Sequence, residues 1–354
     1  MIRLAALQSR VQMSVAAAGL AAVAALLLIT GPHLANLYQS QIANCSAHND
    51  CATARVAFVR TDLNLWTLLG FLVLFAPAII GVFFGAPLVA RELETGTHRL
   101  AWTQSVSRTR WLAVKLALVG AVGMAVVGLL SLFVSWWASP LDRVLAEQYS
   151  RFDERSVVPV AYTAFAVALG AACGLVIRRT LPAMAATLAG FVAVRLGFTY
   201  YVRGHLLPHS HMNTSLSLGN GVGFDVTPPH GFTFVVNNPN IPNAMVLSTR
   251  IVNASGHPAS AHTLNDFVTS RCPAITHPQS LSGAGGNGGP NFSPGKPGAF
   301  HHCLQELSGT FHLVATYQPP SHYWPLQWSE FGIFMAAAVM LAALALWRIR
   351  RAHG

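Results

Sequence analysis

Charge is what this sequence has least of. Its 354 residues include 22 basic and 12 acidic side chains, 10% of the chain, against 53% hydrophobic residues. So little charge cannot cover the surface of a soluble domain, and so much apolar content excludes a disordered chain. Cysteine is scarce too, five in all, too few for a scaffold held together by disulfides. No G-x-x-x-x-G-K-[ST] loop occurs, since Gly295-Lys296 is followed by Pro297. The chain therefore lacks that phosphate-binding motif.

What is present is a set of apolar runs. Met13–Thr30, Leu65–Ala90, Trp111–Trp137, Val158–Ile177, Pro182–Val202 and Leu326–Trp347 can each span a hydrocarbon core of about 30 Å. Gly31-Pro32 closes the first, and a polar outer loop follows to Asp62. The net charge of +10 then separates by side. Inner stubs hold twelve Lys or Arg and two Glu, and outer loops hold nine of each sign. The positive-inside tendency places both termini in the cytoplasm. Basic residues so dispersed form no continuous face, which excludes nucleic acid as a partner.

The expected fold is an all-α polytopic membrane protein with six transmembrane helices. Residues 1–12 alternate Arg3, Gln8 and Arg10 with Leu4, Leu7 and Val11, a pattern suited to an amphipathic elbow helix at the inner surface. Residues 13–202 hold helices 1–5 with a cytoplasmic loop at 90–115, residues 326–347 are helix 6, and 348–354 are a cytoplasmic tail. Between helices 5 and 6, residues 203–325 are rich in Gly, Pro, Asn, Ser and His and contain no spanning run. They predict a large outer domain of short strands and loops, with strands at Phe232–Val236 and Met245–Val252 and a loop at Ser280–Pro297. Four cysteines fall outside, as a close pair and a distant pair, which suggests disulfides Cys45–Cys51 and Cys272–Cys303 in an oxidising compartment. Other pairings and free thiols stay open.

One stretch is polar and charge-dense between two spans: Ala90–Lys115, ARELETGTHRLAWTQSVSRTRWLAVK. Its Arg91-Glu92, Glu94-Thr95-Gly96-Thr97, Ser107-Arg108-Thr109-Arg110 and Lys115 resemble the first cytoplasmic loop of ABC-type exporter permeases of the type 2 class. Val194-Arg195, Arg203–Pro208, Tyr317-Gln318-Pro319 and Tyr323–Glu330 are similar to one bacterial branch of that family. The sequence departs from that branch at His322, where an Arg is expected, so no role is carried to that position.

The resemblance implies the membrane-spanning, non-catalytic subunit of a bacterial ABC exporter in the cytoplasmic membrane. Its loop would form a coupling helix on a separate ATPase subunit, which binds the ATP and Mg; no cofactor is expected in this chain. A second permease protomer, forming a homodimer, completes the expected assembly. The cargo would be a lipophilic or amphipathic drug, lipid or peptide, moved outward by alternating access. Coupling falls to Arg91, Glu92, Glu94, Gly96, Thr97, Arg99, Ser107, Arg108 and Lys115. In that family the second and fifth spans line the central cleft, which makes Phe71, Phe75, Phe83, Phe84, Phe191 and Phe198 candidates for cargo contact.

Two ionisable residues lie inside spans, where they are costly unless paired. At about 1.5 Å per residue, Arg195 stands roughly 22 Å above the inner end of its span and Glu330 roughly 7 Å below the outer end of its own. The equal depths predict an Arg195–Glu330 ion pair. Histidines crowd the outer segments, and His209-Ser210-His211 and His301-His302 invite a metal reading, but without a third ligand at a defined spacing no metal site is assigned. Two other classes remain open: a polytopic membrane enzyme with a His-lined outer site, and a membrane sensor or assembly protein whose outer domain binds a ligand.

Overall fold

The computed structural model describes residues 10–43, 45, 51–95, 107–218, 221–227, 231–236, 238–239, 241–271 and 305–351. The chain divides into two compact units, Met1–Leu206 with Ser321–Gly354, and Leu207–Pro320. Arg203–Leu206 and Ser321–Pro325, expected in the outer domain, thus belong to the helical unit. Most of the expected elbow helix, residues 1–9, lies outside the described residues, and Arg10 is already part of the first helix.

The helical unit contains α1 (Arg10–Tyr38), α2 (Cys51–Ile80), α3 (Pro87–Thr95), α4 (Arg108–Leu145), α5 (Val158–Ile177), α6 (Thr180–Gly197) and, after the second unit, α8 (Tyr323–Arg351). Among the described residues six helices are long and apolar enough to cross a membrane, with α2 and α3 forming one stretch, Thr53–Thr95. Several run further than the apolar runs suggested. α1 continues through Pro32 and α4 through Pro140, so neither residue ends its helix. Proline forfeits one intrahelical bond, a loss that spanning helices tolerate when neighbours support the backbone. Here Thr30, two residues before Pro32, donates its hydroxyl to the Leu26 carbonyl and accepts from Trp137 Nε1, both at 2.9 Å. The expected loop Pro32–Asp62 is mostly helix, since α1 runs on as a π turn to Ala43 and α2 starts at Cys51. Cys45 and Cys51 are bonded to each other across that turn, Cα to Cα 5.9 Å. Cys272 and Cys303 lie outside the described residues.

α5 is the central helix. Of its most apolar window 61% is buried, against 44% or less in the other five spans. Small residues make this possible. α2 ends in a π turn, Gly81–Gly85, and a Cβ on Gly170 of α5 would stand 2.6 Å from both the Gly81 carbonyl oxygen and the Ala86 nitrogen. Two G-x-x-x-G runs, Gly81–Gly85 and Gly170–Gly174, therefore let the two backbones touch, as small residues do in membrane helices. Elsewhere the packing is by larger side chains. Leu27, Leu34, Phe58, Trp66, Val73, Val134 and Trp137 join α1, α2 and α4, while Val89, Trp111, Leu112, Leu175, Ala345 and Ile349 join α3, α4, α5 and α8 at the other end. α5 closes on Arg178 at φ 59°, its N–H bonded to the Gly174 carbonyl, and α6 begins two residues later.

Among the described residues the second unit has two three-stranded sheets. β1 (Ser210–Ser215), β6 (Phe311–Gln318) and β5 (Met245–Asn253) form one in the order β1-β6-β5, antiparallel, with Met212 opposite Ala315 and Ile251 opposite Leu313. Alternation on β6 buries Phe311, Leu313 and Ala315, the period of two that a half-covered strand requires. β2 (Ser217–Leu218), β3 (Gly221–Thr227) and β4 (Gly231–Val236) form the other, with β3 and β4 antiparallel and β2 parallel to β3. The predicted strands at 232–236 and 245–252 coincide with β4 and β5. α7 (Ala261–Arg271) is an addition, capped by Ser260, whose Oγ accepts the Thr263 N–H at 3.2 Å. Phe267 of α7 meets Phe311 edge-on at 5.3 Å.

Candidate functional site

The polar segment begins where α2 turns into α3. Pro87 opens α3, a first-turn position at which a missing N–H costs nothing. The short helix buries Val89 and Ala90 and exposes Arg91, Glu94 and Thr95. Both of its carboxylates are engaged within the chain. Glu92 accepts from Lys115 of α4, whose ammonium also lies 4.6 Å from the centre of the Trp111 ring. Glu94 Oε2 accepts the Thr180 backbone N–H at 2.9 Å and the Thr180 hydroxyl at 2.6 Å. Thr180 is the first residue of α6, so Glu94 satisfies one of the amides a helix start leaves without an intrahelical partner, and a carboxylate there also suits the helix dipole. α3 is thus tied to α4 by one acid and to α6 by the other.

Of the other expected coupling residues, Ser107 caps α4 by accepting the Arg110 N–H at 3.4 Å. Arg108 opens that helix. Gly96, Thr97 and Arg99 lie outside the described residues.

A second constellation gathers at the opposite ends of α5, α6 and α8. α6 carries Arg195 and then loosens into a π turn, Phe198–Val202, and a 3-10 turn that delivers Arg203. The connector from α4 to α5 folds back as a 3-10 helix, Gln148–Glu154, and presents Asp153. α5 adds Tyr162 and α8 adds Glu330. Arg203 grips Glu330 with a fork, Nε to Oε2 and Nη2 to Oε1, each 2.9 Å. It also bonds both oxygens of Asp153. Arg195 reaches the same Asp153 at 3.1 Å and lies 4.1 Å over the Tyr162 ring. The Tyr162 hydroxyl meets Asp153, Glu330 and Arg203 at once. It has one proton for two carboxylates.

Two guanidiniums and two carboxylates make the cluster neutral. Glu330 is fully buried and the Arg203 side chain is 5% exposed. Charges so deep need close partners, and the Arg203 fork with the Tyr162 hydroxyl gives Glu330 three. The expected direct Arg195–Glu330 pair is therefore corrected: Arg195 pairs with Asp153, Glu330 pairs with Arg203, and the two pairs share Asp153 and Tyr162. Sequence reasoning missed Asp153, Arg203 and Tyr162. The available signal was Arg203, which stands in a stretch similar to the family and just past the end of an apolar run.

Neighbouring charges fasten the connector further. Arg151 and Glu154 pair at 3.0 Å over Gly70, with the guanidinium 3.8 Å from the Trp66 ring. Arg155 forks onto Asp142 at 3.0 and 3.2 Å. Gln327 of α8 donates to the Phe152 carbonyl at 2.9 Å and accepts the Val158 N–H at 3.4 Å.

The aromatic candidates separate into three groups. Phe191 and Phe198 are buried against Phe165 and Phe334 inside the protomer. Phe71 and Phe75 of α2 and Phe83 of the following π turn are about half exposed, the first two stacked at 6.1 Å. Phe84 faces an apolar gap between α1, α2 and α4. In the second unit His209 and His211 have ring centres 6.3 Å apart, and His211 bonds Thr316 at 3.1 Å. Among the described residues no group of three or more His, Cys, Asp or Glu is placed to hold a metal ion. His301-His302 lie outside them.

A family model described as ABC-2 membrane transporter related matches residues 17–203. The match runs from α1 through α3 to Arg203 and so takes in both constellations except Glu330. No curated protein and no solved structure matches the chain.

Proposed function

We propose that this chain, which belongs to the ABC-2 membrane transporter related family, is the membrane subunit of an ATP-driven exporter. It would carry a lipophilic or amphipathic compound, a drug, lipid or peptide, outward. A separate ATPase chain supplies the work, and a second copy of the permease forms the other half of the path. The excess of basic residues in the stubs between spans supports an orientation with both termini inside, and the proposed membrane is a bacterial cytoplasmic one.

The observation that carries the reading is the double tether of α3. A push delivered to the exposed Arg91 side of that helix passes to α4 through Glu92–Lys115 and to α6 through Glu94–Thr180. It reaches α5 through the contact of Gly81–Gly85 with Gly170–Gly174. A stiff element joined to several spans converts a local displacement into a rigid-body movement. The ion network holds the far ends of α5, α6 and α8 together, so these helices swing as a group. Phe71 and Phe75 of α2 and Phe83 of the π turn after it are exposed where such a movement could present them to cargo or to the second protomer.

The test is ATPase turnover of the chain purified with its nucleotide-binding partner. Wild type should stimulate turnover with lipophilic compounds, whereas Glu92→Ala and Glu94→Ala should copurify with the ATPase yet lose that stimulation. If no ATPase associates in mild detergent, the exporter reading fails.

A further inference from the structure

On the side of the bundle where α3 lies, both acids are already engaged, Glu92 with Lys115 and Glu94 with Thr180. Residues 1–9 and 96–106 add no Asp or Glu. Arginines are plentiful there. Arg348, Arg350 and Arg351 at the end of α8 are all exposed, and among the described residues none of them has a carboxylate partner. The helix end that carries them is held in place, because Ala345 and Ile349 are buried against Trp111 and Leu112 of α4 and Leu175 of α5. With Ile349 turned inward, the outward residues follow. At about 100° per residue, Met340, Leu344, Trp347 and Arg351 fall within about 60° of one another on the side opposite Ile349. The first three are indeed exposed, and the Arg351 guanidinium lies 4.2 Å from the centre of the Trp347 ring. Arg348 stands beside this stripe, just under one turn from Arg351.

We propose that Arg348 and Arg351 bind the headgroup phosphate of an anionic membrane phospholipid. Charge is the first reason: with both nearby acids used inside the chain, the anion that complements these guanidiniums has to come from outside it. Depth is the second. From Met340 to Arg351 the helix rises about 16 Å, close to half of a hydrocarbon core of about 30 Å. An acyl chain lying along Met340 and Leu344 therefore brings its phosphate level with the arginines, and Trp347 between them occupies the interface that indole rings favour. A guanidinium fork matches two phosphate oxygens, and stacking on Trp347 restrains Arg351 before the lipid arrives. The helix dipole favours a cation in any last turn, but it calls for neither the ring nor the exposed apolar approach below it. A zwitterionic headgroup would bring its own ammonium to a site that already holds two guanidiniums, so the anionic lipid is preferred. The inference rests on the chain crossing a membrane and not on the transport reading.

The test is native mass spectrometry of the full chain in detergent, titrated with dioleoyl phosphatidylglycerol or with dioleoyl phosphatidylcholine. Wild type should bind the phosphatidylglycerol about tenfold more tightly or better. Arg348→Gln and Arg351→Gln should each weaken phosphatidylglycerol about fivefold and leave phosphatidylcholine unchanged. Arg351→Lys, which keeps the charge and loses the fork, should fall between wild type and Arg351→Gln. Arg60→Gln is the control, an exposed arginine of α2 far along the chain from α3, and should alter neither lipid. Equal binding of the two lipids by wild type, or phosphatidylglycerol binding unaltered in both Gln variants, would overturn the proposal. So would displacement of the lipid by an equal concentration of inorganic phosphate, which would mark a site for free anions. Gln variants that bind phosphatidylglycerol like wild type yet no longer copurify with an ATPase would assign the arginines to a protein partner instead.

Discussion

Glu330 is the residue on which the buried network turns, because it has no solvent to fall back on and one guanidinium grips both of its oxygens. Glu330→Ala leaves Arg203 with the Tyr162 hydroxyl and with Asp153, which Arg195 already shares. Removing one member of a buried pair typically costs about 3–5 kcal/mol, and a clear drop in thermal unfolding temperature in detergent is expected. Arg203→Met combined with Glu330→Met should cost less than Glu330→Ala, since the pair leaves together and Arg195–Asp153 stays neutral. A double variant as unstable as the single one would show that the pair contributes more than compensation. The sequence made two of the five network residues legible, for a physical reason. Arg195 and Glu330 stand out as charges inside apolar runs, whereas Asp153 and Arg203 stand just beyond such runs and read as ordinary loop charges. Only the backward fold of Gln148–Glu154 and the extra residue of the π turn at Phe198 bring them in.

Among the elements, the contact between the end of α2 and the middle of α5 sets the tolerance of the bundle. Gly170→Ala would drive a methyl group to 2.6 Å from backbone atoms that cannot rotate away, and overpacking of this kind costs about 1–3 kcal/mol. Gly197→Ala, where a Cβ meets nothing within 4 Å, should leave stability within about 0.5 kcal/mol. Equal melting temperatures for the two variants would sink the close-contact account. Element boundaries were the part of the fold least visible in the sequence. Six spans follow from hydropathy, but Pro32 reads as a stop when it is interior to a helix, because the Thr30–Trp137 bond and the packing of Trp136 on Gly31 depend on residues a hundred positions away. The β5 strand was legible from its own residues. β6 between β1 and β5 was not, since both of its partners lie far upstream in the sequence, at Ser210–Ser215 and Met245–Asn253.

For the molecule as a whole, three lines meet: a family match over 17–203, six helices among the described residues long and apolar enough to cross a membrane, and a disulfide at the α1–α2 turn. Peptide mapping without reductant should recover Cys45 joined to Cys51. Reducing so small a loop should cost about 2 kcal/mol in the chain-entropy account, read as a lower unfolding temperature. Reporters that work only in the cytoplasm should be active when fused to either terminus; activity at one end alone would break the six-span topology. The same disulfide lies at one end of a helical stretch that ends at Thr95, about 65 Å of contour at 1.5 Å per residue. Glu92 and Glu94 sit at its other end and must face Lys115 and Thr180. Each inserted residue turns everything beyond it by about 100°, so one extra alanine between Leu65 and Ile80 would aim both acids at the wrong neighbours. Seven extra residues would bring them back to within about 20°. In this stretch the chain conserves an angle, and indels of one or two residues should be selected against even where every individual side chain there could be replaced.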